Sequence, residues 1–206
     1  MKFMKLKKMA VLLKLAVLIF LSSSNFCLAA LPSGGVWEDR TTGANTNGGG
    51  YDLANDGGTD YSQQDAAQLS LTDLATSGTG VTTLTSATGG FTAAMVDNFI
   101  HMNSGTNVTE GFYEITAYTD TNTVTLDRAP DDGGGGVSSG VGSVGGAVAD
   151  PGEIQDNIVA GNKIWIESGT YTEYNSGGFV LSLSVSGGNG TPIIWEGYNS
   201  SRGDNP

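Results

Sequence analysis

GNKIWIESGTYTE at residues 161–173, followed after a glycine-rich gap by TPIIWEGYNSSRGD at residues 191–204, decides how this chain is read. In Lys163 to Glu167, Ile164 and Ile166 share one face of an extended segment and Trp165 takes the other. Ser168-Gly169 then imposes a bend before extended structure resumes at Tyr171 to Glu173. Short β-branched strands separated by tight corners are the pattern of a coiled parallel β-structure.

GNKIWIESGTYTE followed by PIIWEGY resembles the opening coil of right-handed parallel β-helix proteins, the pectate-lyase-like superfamily. The likeness spans positions 150–204. It implies a mainly β fold, the start of a right-handed parallel β-helix with short capping helices, in a secreted or phage tail-spike-like protein. Such a likeness marks an architecture and not an activity. Glycan-cleaving members carry acidic residues, calcium and an Arg or Lys base on later coils. Here Arg40, Arg128, Lys163 and Arg202 stand in no matching motif, so no catalytic residue is carried over.

Upstream, residues 1–30 read as a secretory signal peptide. Lys2, Lys5, Lys7 and Lys8 form a basic start, and Val11 to Leu21 is apolar apart from Lys14. Cys27-Leu28-Ala29 offers a cleavage site, and the apolar run is too short to span a bilayer comfortably. Cleavage would remove the single cysteine and leave four basic residues against 21 acidic ones, a balance of −17. Such a surface repels nucleic-acid phosphates and anionic lipid. The expectation is a secreted or cell-surface protein with no stable membrane insertion after cleavage, stabilised without disulfides.

Residues 31–77 form a low-complexity lead ending in a short helix over 63–70, capped by Ser62. Residues 78–130 alternate apolar and polar positions and predict strands at 81–86, 98–102, 111–118 and 122–127. Turns are expected at 103–105 and 120–122, and a helical turn at 91–96. This set suits an inserted small antiparallel β-barrel or meander, and resembles a small β-domain found near the start of phage tail-fibre proteins. Residues 131–149 read as a Gly-rich linker. Asp150, Pro151 and Glu153 then open a capping helix that leads into the first coil or coils, over 150–206. Because only one or two coils fit before Pro206, truncation of a longer protein is expected.

Three groups of residues carry candidate chemistry. Asp52, Asn55, Asp56 and Asp60 in DLANDGGTD offer oxygen ligands between glycines, a donor set that suits calcium, although Asx turns explain the same residues. Trp165, Tyr171 and Tyr174 could stack on sugar rings, although aromatic ladders within a coil account for them equally. His101, in NFIHM, has no second histidine or cysteine to share a metal and is expected to be solvent-facing or hydrogen-bonded. The reading that follows is an exported surface or adhesin-type module, associated with polysaccharide or cell-surface glycan and non-catalytic in this portion. The alternative is the amino-terminal fragment of a polysaccharide lyase or glycoside hydrolase whose active coils lie downstream.

Overall fold

The structure, a computed structural model, describes residues 35–49, 66–168 and 185–198. The strands are β1 (Gly35–Glu38), β2 (Leu69–Ala75), β3 (Thr83–Ser86), β4 (Phe99–Thr106), β5 (Gly111–Asp120), β6 (Thr123–Leu126) and β7 (Ser138–Val144). Helix α1 (Pro151–Asn157), β8 (Lys163–Glu167) and β9 (Ile194–Tyr198) follow. Strands β2 to β7 close an antiparallel barrel in the order β2-β3-β6-β5-β4-β7. Strands β1, β8 and β9 form a separate parallel sheet.

Period-two alternation builds the barrel wall. In β3 and β6, Leu84 lies in register with Val124, both fully buried, while Thr83, Thr85, Thr123 and Thr125 face outward. Strands β4, β5 and β6 run as a meander, and β3 lies beside β6 after a long connection, a Greek-key arrangement. That connection holds a 3-10 turn, Ala93–Met95, which drops Met95 into the barrel interior beside Phe91.

A second core lies outside the barrel. On β4, Ile100 and Met102 point inward, whereas Phe99 joins Phe112 of β5 in a cluster with Ile154, Ile158, Val36, Val148 and Ile164. Strands β4 and β5 are therefore covered on both faces, inside by the barrel contents and outside by α1 and the parallel sheet. Helix α1 starts where the Asp150 side chain accepts the Gly152 N–H at 2.7 Å, with Pro151 in the first turn. Its apolar face is Ile154, with Ile158 one turn on.

The expected right-handed parallel β-helix, and with it the pectate-lyase-like likeness, is overturned by this architecture. Strands β8 and β9 do pair in parallel, from Lys163↔Ile194 to Glu167↔Tyr198, and their third partner is β1. The main body of the described chain is instead the closed antiparallel barrel, because most apolar residues sit in hairpin-linked strands. Mainly β remains the right class. Strand β7 lies within the run read as a linker, and β4 continues through the turn expected at 103–105. At the described end of the helix expected over 63–70, Leu69 opens β2. Residues 50–65 and 169–184 fall outside the described residues, and with them the rest of that helix.

Strand β7 pairs with β2 on one side and β4 on the other. A Cβ at Gly142 would lie 2.9 Å from both the His101 carbonyl oxygen and Leu74 Cδ1, and one at Gly140 would lie 3.0 Å from Leu74 Cβ. Gly142→Ala is therefore expected to cost about 1–3 kcal/mol through overpacking. Exposed Ser138→Ala on the same strand should change stability by less than about 0.5 kcal/mol. Urea unfolding midpoints of the two variants check this, and equal midpoints would contradict it.

Candidate functional site

In the parallel sheet, Trp37 lies in register with Trp165, and their rings stack at 4.9 Å with an interplanar angle of 11°. That separation matches the spacing between neighbouring strands, so the two rings form one rung of an aromatic ladder. Gly35 clears the way, since a Cβ there would come within 3.1 Å of the Trp165 ring. The Lys163 ammonium sits 3.6 Å from the Trp165 centroid and pairs with Glu196 at 2.7 Å. Trp165 is only 6% exposed, which leaves no open ring face for a sugar.

The outer face of the barrel is different in chemistry. Thr83 pairs with Thr125 and Thr85 with Thr123, giving two rows of outward threonines on adjacent strands. Strand β5 continues the rows with Ala117 beside Thr125 and Asp120 beside Thr123. Register shifts flank this part of β5, between Ile115 and Ala117 and again between Tyr118 and Asp120. They break the inward-outward alternation, so five consecutive residues, Thr116 to Asp120, are exposed. Tyr118, in register with buried Val124, is 37% exposed, the exposed large hydrophobic among the described residues.

The third arrangement sits where β4 passes under α1. His101, opposite Phe112, stacks on that ring at 4.1 Å and 19° and has no exposed surface. Its Nε2 lies 3.9 Å from Glu153 Oε1. Ligand atoms of His101, Glu110 and Glu153 all lie within 4.8 Å of one another. Burial pulls the His101 pKa down to about 4, against a smaller upward pull from the backbone of Asn45 and Asn47, so the ring is neutral at pH 7. Neither ring nitrogen completes a hydrogen bond. The Glu153 carboxyl is pushed above its usual range, first by burial and then by Glu110, Asp150 and Asp156. Asn157 Nδ2 donates to Glu153 Oε1 at 3.0 Å and holds the carboxylate in place.

The described residues thus bring together a set that sequence spacing does not single out. His101 is not solvent-facing, a correction to that part of the expectation, and the polar groups pulling on its ring are the backbone of Asn45 and Asn47, short of a complete hydrogen bond. Asp52, Asn55, Asp56 and Asp60, along with Tyr171 and Tyr174, lie outside the described residues. Plain alternation from Tyr113 and Ile115 would put Tyr118 on the outer face, whereas the register shifts, which leave no local sequence mark, place it opposite Val124. Glu110 and Glu153 could be linked to His101 only through the β4–β5 register and the seating of α1. Among the described residues no helix is long and apolar enough to cross a membrane. No family model, curated protein or solved structure matches the chain.

A depressed histidine pKa has a definite sign for stability. As pH falls, the unfolded chain protonates His101 near 6.5 and the folded chain only near 4, so stability present above 6.5 is lost between those values. The loss approaches roughly 3 kcal/mol at about 1.4 kcal/mol per pH unit. Glu153, with its raised pKa, takes up a proton more readily when folded and offsets part of this loss. With chelator present, the urea midpoint of His101→Phe is expected to fall less between pH 6.5 and 4.5 than that of the parent chain. Equal slopes would show that His101 does not carry the dependence.

Proposed function

We propose that this chain is an exported, non-catalytic module of the surface or adhesin type that associates with neutral polysaccharide through the exposed stretch of β5 around Tyr118. The observation that carries the reading is the run of five exposed residues from Thr116 to Asp120 on β5, which carries the Tyr118 ring together with the Thr116 and Thr119 hydroxyls and the Asp120 carboxylate. An aromatic ring offers its face to the C–H groups of a sugar, while hydroxyls and a carboxylate accept and donate to its hydroxyls. Bulged strands commonly re-aim side chains beside binding sites.

Charge narrows the ligand class. The full chain carries −12, and loss of residues 1–30 would take it to −17. Long-range repulsion of that sign works against uronate-rich or sulfated polymers and leaves neutral ones favoured. The basic leader supports export to the surface or the medium.

Retention on insoluble cellulose, chitin and starch tests the reading. Binding to at least one is expected, with Tyr118→Ala weakening it roughly two- to tenfold, the equivalent of about 0.5–1.5 kcal/mol for one stacked ring. No retention on any of the three, or retention indifferent to Tyr118→Ala, would remove the proposal.

A further inference from the structure

We propose that His101, Glu110 and Glu153 form a three-ligand site for a divalent transition-metal ion of the zinc class, at the seam between the barrel and α1. The site is independent of the carbohydrate reading: Tyr118 lies seven residues along β5 from Gly111, roughly 20 Å at the rise of an extended strand.

Each donor comes from a different element. His101 is on β4, Glu110 immediately precedes β5, and Glu153 is in the first turn of α1. Their donor atoms converge within 4.8 Å, with His101 Nε2 and Glu153 Oε1 at 3.9 Å. Around a zinc-sized ion, with bonds of about 2.0–2.2 Å, neighbouring ligand atoms stand roughly 3–3.5 Å apart. The exposed Glu110 side chain is free to close that gap, while the other two donors are already fixed.

The imidazole is the second and decisive observation. A fully buried polar ring whose nitrogens complete no well-formed hydrogen bond, and feel only a weak pull from the backbone of Asn45 and Asn47, is costly in an apolar core. Stacking on Phe112 prevents it from turning toward water. In a core that wanted only volume, a leucine or phenylalanine would serve without that cost. A metal on Nε2 satisfies the ring, and the backbone of Asn45 and Asn47 beside it is the type of partner that fixes a ligating histidine's tautomer.

Electrostatics and support point the same way. Glu110, Asp150 and Asp156 all act on Glu153 as like charges, and a divalent cation would turn this repulsion into attraction. Asn157 donates from Nδ2 to Glu153 Oε1, an outer contact that orients a ligand carboxylate. One imidazole nitrogen and two carboxylates suit a borderline ion better than calcium, which takes six or more oxygens. Three protein ligands leave at least one coordination position for water.

The chain has a single histidine, so its ring is an unambiguous reporter. Untagged full-length protein, stripped of metal, is titrated with Zn2+ while the imidazole resonances are followed by NMR and the heat by calorimetry. The expected result is a shift of the His101 ring signals that saturates at one equivalent. Glu110→Gln, at an exposed position that folding does not need, is expected to weaken this binding at least about tenfold with an unchanged circular dichroism spectrum. Zinc taken up by Cys27 or by other carboxylates leaves the His101 signals still, and that outcome overturns the proposal. Unchanged affinity in Glu110→Gln overturns it equally.

Discussion

Closure of the barrel rests on the close approach of β7 to its two neighbours, and that approach is possible only because β7 is nearly bare. At Gly140 and Gly142 a methyl group would meet Leu74 or the His101 carbonyl at 2.9–3.0 Å, inside van der Waals contact. A strand with large side chains there would be pushed off β2, β4 or both, leaving two open edges with unpaired backbone groups. Glycine in a strand interior is normally a weakness of roughly 0.5–1 kcal/mol. Here pairing on both edges offsets it.

The consequences extend past the barrel. Beyond Val144 the chain continues as Gly145 to Val148, and its backbone exchanges hydrogen bonds with Trp37, Asp39, Ala44, Gly48 and Gly49. Gly48 tolerates no Cβ, since one would lie 2.5 Å from the Ser143 carbonyl oxygen and the Gly145 nitrogen. This glycine-to-glycine seam fixes β1, and β1 fixes the parallel sheet through Trp37 and Trp165. The same continuation delivers α1 across the outer face of β4 and β5. Covering that face buries Phe99 and Phe112 and, with them, His101. The chemistry at His101 is thus a product of how the barrel closes and not of the local sequence around residue 101.

Legibility follows the same division. Strands β3, β5 and β6 are readable because Leu84, Ile115, Val124 and Leu126 alternate with threonines, and the cap at Asp150 is readable because Pro151 and Glu153 follow it. Ile164 and Ile166 do share a face with the second core while Trp165 joins Trp37 on the other, as alternation requires. Strand β7 is invisible to such a reading: SSGVGSV has the composition of a linker, and its strand state is dictated by two neighbours far away in sequence. Local pattern equally cannot say whether parallel-looking strands continue as a coil or stop at a three-stranded sheet beside a barrel. For the candidate sites, pairing register decides everything. The exposed stretch that carries Tyr118 lies between two register shifts, and His101 needs Phe112 opposite it and a helix fifty residues downstream.

Charge placement gives the fold its chemical bias. Among the described residues, Arg128 donates to the Phe112 carbonyl at 2.7 Å and to Asp127 at 2.8 Å while lying over Tyr113, and Lys163 is held by Glu196 and Trp165. These two cations brace β5 and β8. Around α1, burial and, after it, the like charges of Glu110, Asp150 and Asp156 resist ionisation of the Glu153 carboxyl. The fold thus uses Arg128 and Lys163 as braces and gathers the Glu110 and Glu153 carboxylates beside the neutral His101 imidazole.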